Sequence, residues 1–268
     1  MRICWLGLSA MLAVTTTEAA PRQPLRLDPS GKWEVEFADW QCVLRRAYTG
    51  SDGRAYAFQL PVEPLSNLAY LRLLSDERTQ RRHDGTARVL ADAAPMAVPS
   101  DFSFFPDGKQ RVRQFTLDLG KQPFAKAANE LTFSTAQQGD TVVGVPGLAT
   151  AWRSMEACMG DLYKGFGIDL AMLKGMARRP EGMALEAAGY PRFEEAFEFV
   201  TIYWVDAAGR VDDCRLLKPS GTKDFDANFC ERLKAKARFR PAVDRNGQPM
   251  RAPQYENVVL RRAVVYSN

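Results

Sequence analysis

FEFVTIYWV, residues 197–205, is the run on which the reading of this chain turns. It is rich in β-branched and aromatic residues, and it is apolar at both alternating sets of positions. A strand with only one buried face alternates apolar and polar residues, so this pattern predicts a central strand covered on both sides. Asp206-Ala207-Ala208-Gly209 then supplies a turn, and Val211 to Leu217 returns as a second, antiparallel strand. Ser220-Gly221-Thr222 interrupts the chain. A helix is expected from about Asp224 to Ala237, with Phe225, Phe229, Leu233 and Ala237 spaced four apart along one face. Asp224 and Asp226 near its start and Lys234 and Lys236 near its end suit the helix dipole. Asn246-Gly247 turns the chain again, and Val258 to Tyr266 is the expected final strand.

Upstream, Trp33, Val35 and Phe37 alternate with Glu34, Glu36 and Ala38 as in a half-buried strand. Asp52-Gly53, Asp84-Gly85 and Asp107-Gly108 are Asp-Gly pairs of the kind that close hairpins. Strand-like runs follow at Ala55–Leu60, Leu68–Leu74, Val112–Leu119 and Glu130–Ser134, and Ser75 to Gly85 reads as a charged, solvated loop. Between Thr150 and Phe166, Trp152, Met155, Met159, Leu162 and Phe166 fall on one helical face. The expected fold is therefore α+β. A β-rich N-terminal domain with one late helix spans residues 32–173, a linker spans 174–189, and a small strand-strand-helix-strand domain spans 190–268.

Ahead of these lie a candidate signal at residues 1–19 and a polar lead-in at 20–31. Arg2, the twelve-residue apolar run Ile3–Val14 and the small residues around Ala19 have the layout of a secretory signal. The run is shorter than the roughly 20 residues a spanning helix needs. Cleavage after Ala19 and a periplasmic location are expected, with an inner-membrane anchor as the alternative. Four cysteines then remain, Cys42, Cys158, Cys214 and Cys230, an even number that suits an oxidising compartment. They allow three connectivities, from which the domain reading selects Cys42–Cys158 and Cys214–Cys230.

The two signs of charge are mixed along a chain of net charge +4, which gives no footprint for nucleic acid. His83 is the only histidine, and no CxxC pair or P-loop is present. No catalytic, metal or cofactor residues are therefore assigned, and the protein is read as a non-enzyme. The remaining enzymatic reading is a carboxylate-only periplasmic hydrolase.

A resemblance rests on Tyr190-Pro191, VDAAGRVDDCRLLKPSG at 205–221, DFDANFC at 224–230 and ARFRPAVDRNGQP at 237–249. Together with the closing strand, these are similar to the TonB C-terminal domain family. Gly209 matches that family's turn glycine, Ser220-Gly221 its Ser-Gly pair, and Phe239-Arg240-Pro241 its aromatic-x-Pro. Cysteines on the second strand and in the helix resemble a subset known as energy transducer proteins. Trp33, Cys42-Val43-Leu44-Arg45-Arg46 and WRSMEACMGDLYKGFGID at 152–169 also look like that subset's N-terminal region. The resemblance implies a binding domain that adds an extended peptide of an outer-membrane transporter, or of another envelope protein, to a sheet edge. The expected edge is Asn257, Val258, Val259, Leu260, Arg261, Arg262, Ala263 and Val264, with Tyr190 and Pro191 beside it. Arg261 and Arg262 serve equally well as gatekeepers against aggregation. The chain shows no long Pro-rich spacer. An exported interaction protein in envelope transport is thus expected before a signal-anchored energy transducer.

Overall fold

The computed structural model describes residues 23–66, 68–76, 82–92, 98–107, 109–119, 128–136, 138–182, 184, 188–189 and 196–261. The candidate signal lies outside them. No described helix is long and apolar enough to cross a membrane.

The α+β expectation is corrected. The chain is mostly β, built around a closed nine-stranded barrel, with three helices among the described residues. The barrel strands are β1 (Leu25–Pro29), β3 (Cys42–Gly50), β4 (Ala55–Val62), β5 (Leu68–Ser75), β6 (His83–Ala91), β7 (Val98–Asp107), β8 (Gln110–Asp118), β9 (Glu130–Thr135) and β10 (Gly139–Gly144). Around the barrel they run β1-β10-β9-β6-β7-β8-β5-β4-β3, and β2 (Glu34–Phe37) pairs outside the ring with β3. β1 closes the ring by pairing parallel with β10 and antiparallel with β3. It lies in the stretch read as a polar lead-in. Its five residues, LRLDP, offer only Leu25 and Leu27 as an alternating apolar pair, too little pattern to announce a strand.

Two further expectations fail nearby. Asp84-Gly85 is not a turn, and the Ser75–Gly85 stretch is not wholly loop. His83, Asp84 and Gly85 lie on β6, where Gly85 pairs with Phe102. The Asp84 carboxylate binds Arg82 and accepts from Ser103 Oγ, so a charged pattern here decorates the outside of a strand. Asp52-Gly53 does turn between β3 and β4, with Gly53 at φ 77°.

Inward-facing residues fill the barrel. Phe102, Phe115 and Phe133 stack across three strands, with centroids 5.1 and 4.2 Å apart. Tyr48, Phe58 and Leu71 are also buried, so the interior is a packed core and not a channel. Helix α1 (Leu148–Phe166) packs Leu148, Trp152, Met155 and Met159 against this core. The Cys42–Cys158 disulfide ties the helix to β3.

After α2 (Leu170–Gly175), β11 (Met176–Arg178) falls inside the stretch read as linker. It pairs with β14 (Ala242–Asp244), which pairs in turn with β15 (Pro249–Met250). The remaining sheet has the order β13 (Val211–Lys218), β12 (Ala196–Val205), β16 (Ala252–Arg261), antiparallel throughout. β16 begins six residues before the expected start of the last strand, because Ala252–Asn257 is more polar than the run that follows. Helix α3 (Lys223–Lys236) covers one face of this sheet, and the Cys214–Cys230 disulfide joins it to β13. Both disulfides have the pairing the domain reading selected.

The two apolar faces of β12 now have separate partners. Phe197, Phe199 and Tyr203 pack with Phe225 and Phe229 of α3. Ile202 and Trp204 point the other way, into a cluster with Leu65, Phe166 and Ile168 from the barrel side. The turn after β12 is fixed by Asp206, whose carboxylate accepts the N–H groups of Ala208 and Arg210. Gly209 sits there at φ 80°, and its carbonyl accepts the N–H of Phe239. A Cβ on Gly209 would collide with the Phe239 carbonyl, so both the positive φ and the close approach call for glycine.

Candidate functional site

The two parts of the chain meet along the face of the small sheet turned away from α3. At one end the contact is dense. Trp204 is buried there, with the guanidinium groups of Arg215 and Arg251 5.2 and 5.5 Å from its ring centroid. Arg215 also donates to the carbonyl of Phe166 at 2.6 Å, and Arg251 forms a two-pronged ion pair with Asp212. Tyr255 donates its hydroxyl to the carbonyl of Trp40 at 3.0 Å, and burial pushes that phenol well above its ordinary pKa.

At the other end the surfaces part. Glu198 on β12 and Asn257 and Val259 on β16 face Tyr70 and Arg72 of β5 and Gln114 of β8, all on the outer wall of the barrel. The resulting cleft has a volume of about 520 Å³. Glu63, in the loop after β4, stands at its inner end and accepts a 2.6 Å hydrogen bond from Asn257 Nδ2. Burial raises the Glu63 carboxyl above the usual range, against the lowering effects of Asn257 and the Arg72 charge. Burial also raises the Tyr70 phenol, helped by the nearby Glu63 charge. A smaller cavity of about 200 Å³ lies on the other side of Glu63, lined in part by Leu65, Pro180, Gln254 and Tyr255. The two cavities thus follow successive residues of β16.

Of the expected docking residues, Asn257, Val258, Val259, Leu260 and Arg261 lie on β16, which forms one edge of its sheet. Asn257 and Val259 face the cleft, whereas Val258 packs toward Phe197 and Phe199 on the α3 side. Tyr190, Pro191, Arg262, Ala263 and Val264 lie outside the described residues. The inner face of β16 is anchored by Glu256, which accepts from Tyr203 at 2.5 Å and from the N–H of Ala184. Burial and the Glu256 charge together hold the Tyr203 phenol far above its ordinary pKa.

His83, expected in a solvated loop, is partly buried on β6 beside Phe102, with ring centroids 6.5 Å apart. Trp40 is half-buried, with the Lys218 ammonium 5.5 Å from its ring. The sequence reading did not single out Glu63, Tyr70, Arg72, Gln114 or Glu198. Polar side chains outside a barrel are ordinary in sequence, and Glu63 meets Asn257 across 194 positions. Compared with models of protein families, with characterised proteins and with solved structures, the chain matches none.

Proposed function

We propose that this chain is an exported interaction protein that docks an extended segment of an envelope partner by strand addition at β16. The observation that carries the reading is the position of β16 at the edge of its sheet. An edge strand keeps one row of main-chain donors and acceptors for a new neighbour. Pro253 marks which row that is. Proline has no N–H to give to β12, and an edge strand accommodates it where the main chain turns outward. Trp204, the partner of Pro253 on β12, has the same parity as Asp206, whose N–H is given to Arg210 on the opposite side. The two-residue alternation of a strand then directs the main-chain groups of Tyr255, Asn257 and Val259 outward.

The two disulfides suit an oxidising compartment such as the periplasm. The resemblance to the TonB C-terminal domain family supports an outer-membrane transporter as the partner.

The reading is tested with ten-residue peptides taken from periplasm-facing segments of outer-membrane transporters, measured by titration against the full chain. Binding is expected, and Val259→Pro is expected to abolish it. That substitution removes an outward N–H while leaving the β12 ladder in place. If no such peptide binds, or if the proline variant binds equally well, strand addition at this edge is wrong.

A further inference from the structure

The cleft beside Val259 has a chemistry of its own, carried by side chains and not by the main chain of β16. Its two carboxylates, Glu63 and Glu198, face two guanidinium groups, Arg72 and Arg82. The charges are balanced and already engaged. Glu198 pairs with Lys218 at 2.7 Å and Arg82 with Asp84 at 2.7 Å, while Arg72 Nε donates to Gln114 Oε1 at 2.9 Å. A strongly anionic or cationic ligand would meet as much repulsion as attraction in such a lining.

The lining also mixes donors and acceptors in planar groups. Asn257 gives its Nδ2 to Glu63, which orients its amide oxygen the other way. That Oδ1 atom is buried and has no hydrogen-bond partner among the described residues. An orphaned buried acceptor is uncommon in a folded protein, and this one lies beneath the surface of the cleft. Gln114 has an Nε2 group that can donate, and the Tyr70 hydroxyl can both donate and accept. The Tyr70 ring adds an aromatic surface whose negative face attracts weakly positive C–H groups.

From this combination we propose that the cleft binds a neutral, polyhydroxylated ligand, a saccharide of two or three rings. Each sugar hydroxyl donates and accepts at once, so a run of them satisfies a lining of mixed polarity. The ring C–H groups lie on Tyr70, and hydroxyls exchange hydrogen bonds with the Tyr70 hydroxyl and receive from Gln114. The volume of about 520 Å³ lies in the range of small-molecule sites. The site is independent of strand addition, because its principal contacts come from β5 and β8 of the barrel wall.

The test is calorimetric titration of the full chain with maltotriose, cellotriose and the trimer of N-acetylglucosamine, alongside dilysine and diglutamate. At least one trisaccharide is expected to bind. Tyr70→Ala and Gln114→Leu are each expected to weaken it about tenfold, the loss of one stacked ring or one hydrogen-bond donor. Gln59→Leu, on the barrel wall outside the cleft lining, is expected to leave it unchanged. Tyr70 and Gln114 face outward from the barrel, so both variants should keep the wild-type thermal transition, and Tyr70→Leu provides a second ring deletion. The proposal is overturned if no trisaccharide binds at about 10 mM. It is equally overturned if only a charged dipeptide binds, or if affinity survives both cleft substitutions. Loss of saccharide binding in Tyr70→Ala with peptide docking retained would separate the two sites.

Discussion

Every strand of the barrel ring has two hydrogen-bonded neighbours, whereas among the described residues of the small sheet only β12 does. The ring encloses its own core, and α1 covers part of that core from one side. Among the described residues the small sheet has three strands, one helix and a second apolar face packed against the barrel side. A closed sheet has no edges for other chains to pair with. The small sheet buries its second apolar face against the barrel side and, among the described residues, has edge strands at β13 and β16. The difference explains why the cleft and the candidate docking strand both belong to the boundary between the two parts.

The largest effect that would sharpen this contrast concerns the disulfides. Replacing Cys42 and Cys158 by serine opens a cross-link spanning 116 positions, against 16 for Cys214 and Cys230. The chain-entropy model gives losses of about 4–5 and about 3 kcal/mol respectively. Urea unfolding followed by tryptophan fluorescence should show the larger shift for the first pair. Equal shifts would mean that residual structure, and not loop length, sets the contribution of the longer cross-link.

Next comes the borrowed face. Trp204→Ala should cost about 3–5 kcal/mol, as expected for a buried indole. It should also split thermal unfolding into two transitions, with the small sheet melting first. A single transition lowered as a whole would show that the two parts unfold as one cooperative unit.

The smallest effect concerns Glu63, buried where the cleft begins. Its folded-state pKa is raised, so folding takes up a proton between the ordinary carboxylate range and that raised value. Stability contributed by this group is therefore present at low pH and lost as pH rises through the window. Glu63→Gln keeps an acceptor for Asn257 and removes the buried charge. It should raise the melting temperature at about pH 8 and change it little at about pH 4. The opposite pH dependence would show that Glu63 is held ionised by the Arg72 charge.

Much of the local structure was legible beforehand. β12 announced itself because both faces of one strand are apolar, and Ile202 and Trp204 proved to face the barrel side while Phe197 and Phe199 face α3. Helices α1 and α3 were visible from steps of three and four. The turn at Asp206–Gly209 was visible from residue types whose conformational preferences are intrinsic. Closure of the barrel was not visible. β1 carries only two apolar residues in alternation, and its partners lie up to 116 positions away, as in Leu27 opposite Val143. The Asp-Gly rule also misled at Asp84-Gly85, since there the same dipeptide sits within a strand and pairs with Ser103 and Phe102 of β7.

The candidate site divides in the same way. Asn257 and Val259 were named because the resemblance implied docking at the edge of the last strand. Glu63, Tyr70, Arg72 and Gln114 had no such signal, since an isolated polar residue on a strand reads as ordinary surface. By itself the sequence determined the even set of cysteines, the strand and helix periodicities and the turn chemistry, all fixed by residue types a few positions apart. The tertiary structure alone decided the ring closure, the cover on the second face of β12 and the cleft. Each of those depends on which distant surfaces exclude water together, and periodicity reports that a face is buried without saying against what.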